Sequence, residues 1–241
     1  MSTVLLDRVG VEANSGVEIY PATFRGLPDP IEVPWSLKPV SSAESGIQRL
    51  PDGRTKFWIR HDLLKGVTPR MLVWWFSHLE GDVEIGGRRY NRYRVWHPFD
   101  HVHASYAWKR PDGTVGPGAA IRLREILGRD LKHIVNVTTR IERLDEGGYV
   151  HSPALHVGPE RINFAVRGLA RMEYAFTPVR QGTLYENSLV LGGESWWGPT
   201  ATRVLTPPGH GEVWIKHNVE EVGAFEQFLP ALYYRETGRR S

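Results

Sequence analysis

The sequence predicts an α+β fold in which a long antiparallel sheet curls around a C-terminal helix and leaves a cavity between them. Two observations carry this. From about Arg89 onward the chain reads mainly as strands, short alternating or β-branched runs separated by Gly, Pro and Asp. Near the end, Phe225, Phe228, Leu229 and Leu232 recur at three- and four-residue steps within Asn218 to Tyr234, which marks one apolar face of a helix.

Taken in order, residues 1–52 are rich in Pro, Gly and Ser with weak periodicity, an ordered but irregular lead-in to a single domain over 53–241. Phe57 to Arg60 is a strand. Thr68-Pro69 starts a helix with a capping hydroxyl and a first-turn proline, and Leu72, Trp75, Phe76 and Leu79 give it an apolar stripe that ends near Gly81. The strands that follow are Arg89 to Trp96, His103 to Lys109, Ala119 to Ile126, His133 to Arg143, Ile162 to Phe176, Thr183 to Leu191 and Gly211 to Ile215. Arg110-Pro111-Asp112-Gly113 is a turn signal that joins the second and third of these as a hairpin.

Composition bounds the function. The 241 residues suit one large domain with a sizeable core. The net charge of +3 comes from scattered Lys and Arg rather than a basic run, so no nucleic-acid partner is expected. Without cysteine there is no disulfide framework and no thiolate site, and any metal must be held by His, Asp and Glu. Neither a leader at Met1 to Gly10 nor a run of 18 apolar residues is present, so a cytoplasmic protein without a membrane partner is expected, and the Asn136-Val-Thr138 sequon is read as chance. The oligomeric state is left open, a homodimer included.

The informative residues are polar groups aimed inward. His217 and Glu221 extend the apolar face of the last helix toward its start, and a buried carboxylate is costly unless paired. A metal ion is a partner that also accounts for an imidazole one turn away. In Ala119 to Ile126, alternation puts Glu125 on the same side as Ile121 and Leu123. With the hairpin turn centred near Thr114, Glu125 lies opposite His103 and about one pair from His101. The segment Trp96-His97-Pro98-Phe99-Asp100-His101-Val102-His103 supplies the histidines, and spacing does not choose among the three. Plainer uses exist: Glu125 paired with an arginine such as Arg167, His217 as a helix cap, Glu221 at the positive end of the dipole, and Trp74, Trp75, Trp196 and Trp197 as core or pocket wall. Gly193-Glu194-Ser195-Trp196-Trp197 misses the nucleophile-elbow pattern at its last position, which excludes that serine hydrolase class.

Trp74-Trp75-Phe76, the Tyr-x-x-Trp-His-Pro-x-Asp-His run from Tyr93 to His101, Arg124-Glu125-Ile126-Leu127-Gly128 and His217-Asn218-Val219-Glu220-Glu221 occur in the order found in the diacetylphloroglucinol hydrolases, which include phloretin hydrolase. The chain resembles that family from about residue 55 onward. The resemblance implies a helix-grip fold, similar to Bet v 1, and a zinc ion held by His101, Glu125, His217 and Glu221. It also implies hydrolysis of the carbon-carbon bond between an acyl group and a polyhydroxylated ring or β-diketone, the substrate being a small phenolic or polyketide molecule. By the same resemblance Tyr93 donates a hydrogen bond to the acyl oxygen, and Asp100 orients an imidazole. The family's additional mid-chain polar group has no clear match, and His156 and Tyr174 are the nearest candidates. The competing readings are a helix-grip protein that binds a hydrophobic ligand without catalysis, and a polyketide cyclase or decarboxylase in the same cavity.

Overall fold

Successive hairpins build most of the molecule. A computed structural model of the chain describes residues 27–157, 164–166, 168–193 and 195–239. In chain order the elements are β1 (Ala43–Arg49), β2 (Thr55–His61), β3 (Leu64–Lys65), α1 (Pro69–Phe76), β4 (Asp82–Ile85), β5 (Arg88–Asn91), α2 (Arg92–Trp96) and β6 (His101–Trp108). Then come β7 (Ala120–Ile126), β8 (Ile134–Asp145), β9 (Gly148–Val157), β10 (Phe164–Val166), β11 (Ala170–Val179), β12 (Gly182–Leu191), α3 (Gly198–Leu205) and α4 (His210–Thr237).

The main sheet runs β1-β2-β12-β11-β9-β8-β7-β6, with β10 beside β9 and β3 beside β12, and every pairing is antiparallel. β4 and β5 form a separate hairpin. The sheet curves around α4, which packs on β2 through Phe57 and Trp214 (ring centroids 5.8 Å apart) and reaches the far-edge strands β6 and β7 through His217. This is a helix-grip arrangement.

α1 closes the inner end. Thr68 Oγ1 accepts a hydrogen bond from Met71 N at 3.4 Å, so the cap expected from the sequence is made. Trp75 and Phe76 then meet Phe225 and Phe228 of α4 edge-on, while Phe76 lies against Tyr149 and Phe176 of the sheet. Phe225, fully buried, also touches Trp96 and Tyr185 and so links all the layers.

Several elements differ from the sequence reading, each for a physical reason. Gly211 to Ile215 is the start of α4, not a strand: Trp214, Asn218, Glu221, Phe225, Phe228 and Leu232 form one inward stripe at steps of four and three. Its polar members hide the helical period at the front. Arg89 to Trp96 is a strand only to Asn91, whose side chain accepts from Arg94 N at 3.2 Å and caps the short α2. α1 stops at Phe76, short of Gly81. The lead-in ends in a regular strand, β1, paired with β2 along its length.

β4, β9 and α3 were not foreseen. β9 mixes Tyr, His, Ser and Pro and lacks the apolar run by which strands are found. The stretch read as one strand from Ile162 to Phe176 contains β10 and the start of β11 as separate strands, and of its other residues 162, 163 and 167 lie outside the described residues. Trp75 is core as expected, whereas Trp196 is 92% exposed and Trp197 is also exposed. Among the described residues no helix is long and apolar enough to cross a membrane.

Because Phe225 joins α1, α2 and the sheet, Phe225→Ala is expected to destabilise the protein by about 3–5 kcal/mol, as for other large-to-small changes in a tight aromatic core. Urea unfolding followed by tryptophan fluorescence measures it, and a loss below about 1 kcal/mol would contradict this account of the core.

Candidate metal centre

Three elements deliver four side chains to one point. His101 opens β6, Glu125 lies near the end of β7, and His217 and Glu221 stand one turn apart on the inward face of α4. His101 pairs directly with Glu125, and His103 with Arg124, because the register shifts between His101 and His103. The even ladder assumed from the turn therefore misplaces Glu125 by one pair. His103 is half-buried and stays out of the cluster.

The donor atoms converge. Glu221 Oε2 lies 3.3 Å from His101 Nε2 and 3.7 Å from His217 Nε2, and the Glu125 oxygens lie 3.9 Å and 3.8 Å from the same two nitrogens. Metal–ligand bonds of about 2.0–2.2 Å in a tetrahedron put neighbouring ligand atoms about 3.3–3.6 Å apart, so these spacings fit a divalent ion with little adjustment. His101, His217 and Glu221 are buried.

Hydrogen bonding fixes which nitrogens face inward. His101 Nδ1 donates to the Tyr93 carbonyl at 2.8 Å, and its Nε2 is buried with no hydrogen-bond partner. His217 Nδ1 donates to Asp100 Oδ2 at 3.0 Å, and the same carboxylate oxygen accepts from Gly128 N at 2.9 Å. With both Nδ1 atoms committed to these acceptors, the two rings turn their Nε2 atoms toward two carboxylates. Two carboxylates crowded against two ring nitrogens call for a proton or a cation between them, and an imidazole held by an outer carboxylate is the usual support of a metal ligand.

The charges say the same. Burial pushes the Glu221 carboxyl up to about 8, the His217 charge opposing and Glu125 and Asp100 reinforcing the rise. Burial also raises Glu125. On His217 burial disfavours the imidazolium, but Glu221, Asp100 and Glu125 outweigh it and lift the ring up to about 9. Burial, with the neighbouring rings of His217 and His97, holds His101 well down. The raised carboxyls and the raised imidazole mark a cluster that takes up protons in place of the positive charge a dication would supply.

His97, Asp100 and His217 also lie close together. His97 is fully engaged, however: Nδ1 accepts from Asp100 N at 3.1 Å and Nε2 lies 3.2 Å from Glu220 Oε2, while its ring stacks on His217 at 4.5 Å. It supports the site from behind. Tyr93 stacks flat on His101 at 3.9 Å and donates its hydroxyl proton to Glu125 Oε1, rather than pointing it into free space. Glu125 thus has Tyr93, His101 and His217 around it; Arg167, the alternative partner, lies outside the described residues.

The cluster opens on a cavity of about 280 Å³. Ile121, Leu123 and Glu125 line it together, as their alternation predicts, and α4 contributes His210, Trp214, His217, Asn218 and Glu221. Tyr174 lines it as well. The side chain of His156 lies outside the described residues. The residue that sequence reasoning missed is His151: Tyr149, His151 and Pro153 all face the cavity from β9, an every-second-residue signal that goes unread once β9 is not recognised as a strand. His151 Nδ1 shares a hydrogen bond with Thr139 Oγ1, its Nε2 lies 3.5 Å from the Tyr174 hydroxyl, and burial pushes it down to about 3, so the ring is neutral.

A polar relay holds α4 in this rotation. His61 Nε2 donates to Asn187 Oδ1 at 3.0 Å, Asn187 Nδ2 to Asn218 Oδ1 at 2.7 Å, and Asn218 Nδ2 to the Trp214 carbonyl at 3.0 Å.

Comparison with known proteins bears on the first half of this site. The family model described as the DAPG hydrolase PhiG domain matches residues 36–124. That stretch holds Tyr93, His97, Asp100 and His101 and stops one residue before Glu125. No curated protein matches the chain. Among solved structures, protein Ms6760 from Mycobacterium smegmatis is similar at 11% identity and TM-score 0.47, covering 77% of this chain and 98% of that one. Ara h 8.0201 is similar at 11% identity and TM-score 0.44, with 77% and 99% covered. A START superfamily protein from Mycobacterium smegmatis is similar at 11% identity and TM-score 0.44, with 72% and 97% covered.

Asp100→Asn keeps the size of the group that holds His217 but removes its charge. Affinity for zinc, measured by competition with a chromogenic chelator, is expected to fall about 10- to 100-fold with the fold retained. Unchanged affinity would remove Asp100 from the site.

Proposed function

We propose that this chain is a zinc-dependent hydrolase of the diacetylphloroglucinol hydrolase type, with His101, Glu125, His217 and Glu221 as ligands. It removes an acyl group from a polyhydroxylated ring by cleaving the carbon-carbon bond between them. The observation that carries this reading is the unpartnered His101 Nε2, facing the same point as His217 and two glutamates in a largely apolar cavity. The hydrolase domain model over residues 36–124 supports it from a separate direction.

In the overall reaction water adds its oxygen to the acyl carbon, the bonding pair passes to the ring carbon, and that carbon takes up a proton. A free carboxylic acid and the deacylated phenol result. A ring with several hydroxyls can carry the pair because it tautomerises to a β-diketone-like form. Bound zinc would supply Lewis-acid polarisation of a substrate oxygen, or a water activated near neutral pH.

The chain's own groups do the rest. Asp100 and the Tyr93 carbonyl orient the two imidazoles, and the Tyr93 hydroxyl holds Glu125; donation from Tyr93 to the acyl oxygen requires exchange of that bond. Burial pushes the Tyr174 phenol well up, so it stays protonated as a donor, and His151 beside it is neutral and able to accept or pass a proton. Tyr174 and His151 are therefore assigned to the ring hydroxyls and the departing carbon. His156 keeps no role in this scheme.

Purified protein is expected to contain about one zinc per chain by elemental analysis and to release carboxylic acid from diacylphloroglucinols. Glu221→Gln and His217→Asn should each lower zinc affinity by more than about a hundredfold, beyond the cost of losing an outer partner, and abolish acid release. Metal-free wild-type protein of unchanged stability would instead favour a non-catalytic ligand-binding protein. Intact metal with untouched substrate would favour a different reaction in the same cavity.

A further inference from the structure

The cavity changes character along its length, and the register of its walls shows how. Across β11 and β12, Tyr174 faces Asn187, Met172 faces Leu189, and Ala170 faces Leu191. α4 follows the same ladder: Asn218 bonds Asn187, and Trp214 packs on Phe57, the β2 partner of Leu189. Travelling from His217 back to His210 therefore means travelling from the level of Tyr174 past Leu189 toward Leu191. Seven residues of α4 at about 1.5 Å each make this path about 10 Å long.

Tyr93 and Tyr174 lie at the metal level among aromatic walls, and His151, paired with Met172, stands one step outward with its Nε2 turned to the Tyr174 hydroxyl. Outward from the metal the walls turn mainly aliphatic, with Met172, Leu189, Ala170, Leu191, Ile134 and Pro207, and Lys132, Thr206 and His210 stand at the far end. Thr202 also lines this end, but its hydroxyl is already bonded to the Gly198 and Pro199 carbonyls. Ala170 is the smallest of these, inward-facing and half-buried, and leaves the channel open beside Leu191.

From this we infer that the acyl arm of the substrate is a long apolar chain, of about six to eight carbons, that runs from the metal centre along α4 toward His210, with the hydroxylated ring held inside. The inference rests on the hydrolase reading above and narrows its substrate to long-chain acylphenols. An acetyl group would leave the aliphatic channel empty, whereas each methylene placed there leaves water.

The test uses zinc-loaded full-length protein with phloroglucinols carrying one acetyl, butanoyl, hexanoyl or octanoyl group. Expected is a rise in kcat/KM of about fourfold per added methylene up to roughly eight carbons. Ala170→Phe, which fills the channel, should lower the octanoyl-to-acetyl ratio at least tenfold, and Leu191→Trp serves the same purpose should the first variant fold poorly. Equal or better use of the acetyl compound, or a ratio indifferent to both variants, overturns the inference.

Calorimetric binding of the same series separates the two levels of the claim. If nothing is hydrolysed but affinity rises with arm length and falls in Ala170→Phe, the channel stands and the hydrolase reading fails. If neither turnover nor affinity depends on arm length, the channel itself is rejected.

Discussion

Four side chains, three of them buried, turn polar atoms toward one point on the wall of a largely apolar cavity, and the rest of the molecule is arranged around tolerating that. A carboxylate alone in such a place is expensive. Two of them opposite two imidazoles whose Nδ1 protons are committed elsewhere cannot be relieved by rotating a ring. Distances of 3.7–3.9 Å between three of the nitrogen–oxygen pairs are too long for hydrogen bonds, so a proton on Nε2 would be poorly used. A divalent cation satisfies all four at once. In that sense the site is unfinished chemistry held in place by finished structure.

What holds it is distributed over the sheet. β6 and β7 occupy the edge opposite β1 and β2, and only the curvature of the sheet brings His101 and Glu125 back to α4. The rotation of α4 about its axis is then decisive, since a turn of one residue, about 100°, would carry Glu221 out of the cavity. Two devices oppose that turn. The stripe from Trp214 to Leu232 packs on aromatic rings from α1 and the sheet, and the His61-Asn187-Asn218 chain ties β12 to the helix next to His217. Apolar packing sets the depth of the helix, and the directional hydrogen bonds set its phase.

The same division explains what could be read from the sequence. Apolar period alone located the C-terminal helix, the inward sense of Glu125 and the helix face that carries His217 and Glu221. It failed at two stretches, the front of α4 and β9. α4 begins at His210, about two turns before Asn218, because Val213-Trp214-Ile215 at its front reads as a strand, and β9 goes unread although Tyr149, His151 and Pro153 alternate inward. Register was beyond reach for a different reason: the irregularity between His101 and His103 belongs to the ladder and has no local marker. The choice of His101 over His97 and His103 came from a family resemblance, and the geometry supplies the physical ground. His97 has both nitrogens engaged, His103 is absent from the groups of close donor atoms, and His101 has a buried nitrogen with no hydrogen-bond partner.

On the proposed reading, the layout suits the breaking of a carbon-carbon bond. Such a bond yields two partners with opposite needs: the acyl side gathers negative charge on oxygen, and the ring side needs a proton on carbon. Here the carboxylates of Glu125 and Glu221, and with them any cation they would hold, lie on the β7 and α4 wall, while the groups kept neutral by burial, Tyr174 and His151, lie on the β11 and β9 wall. Burial keeps each of those two groups in its neutral form, the phenol by raising it and the imidazole by lowering it, so neither adds a charge that would compete for the cation. A substrate placed between the walls would meet charge stabilisation on one side of its scissile bond and a protonated hydroxyl on the other. In this arrangement the aromatic and aliphatic lining is part of the chemistry, because both effects weaken as soon as water shares the space.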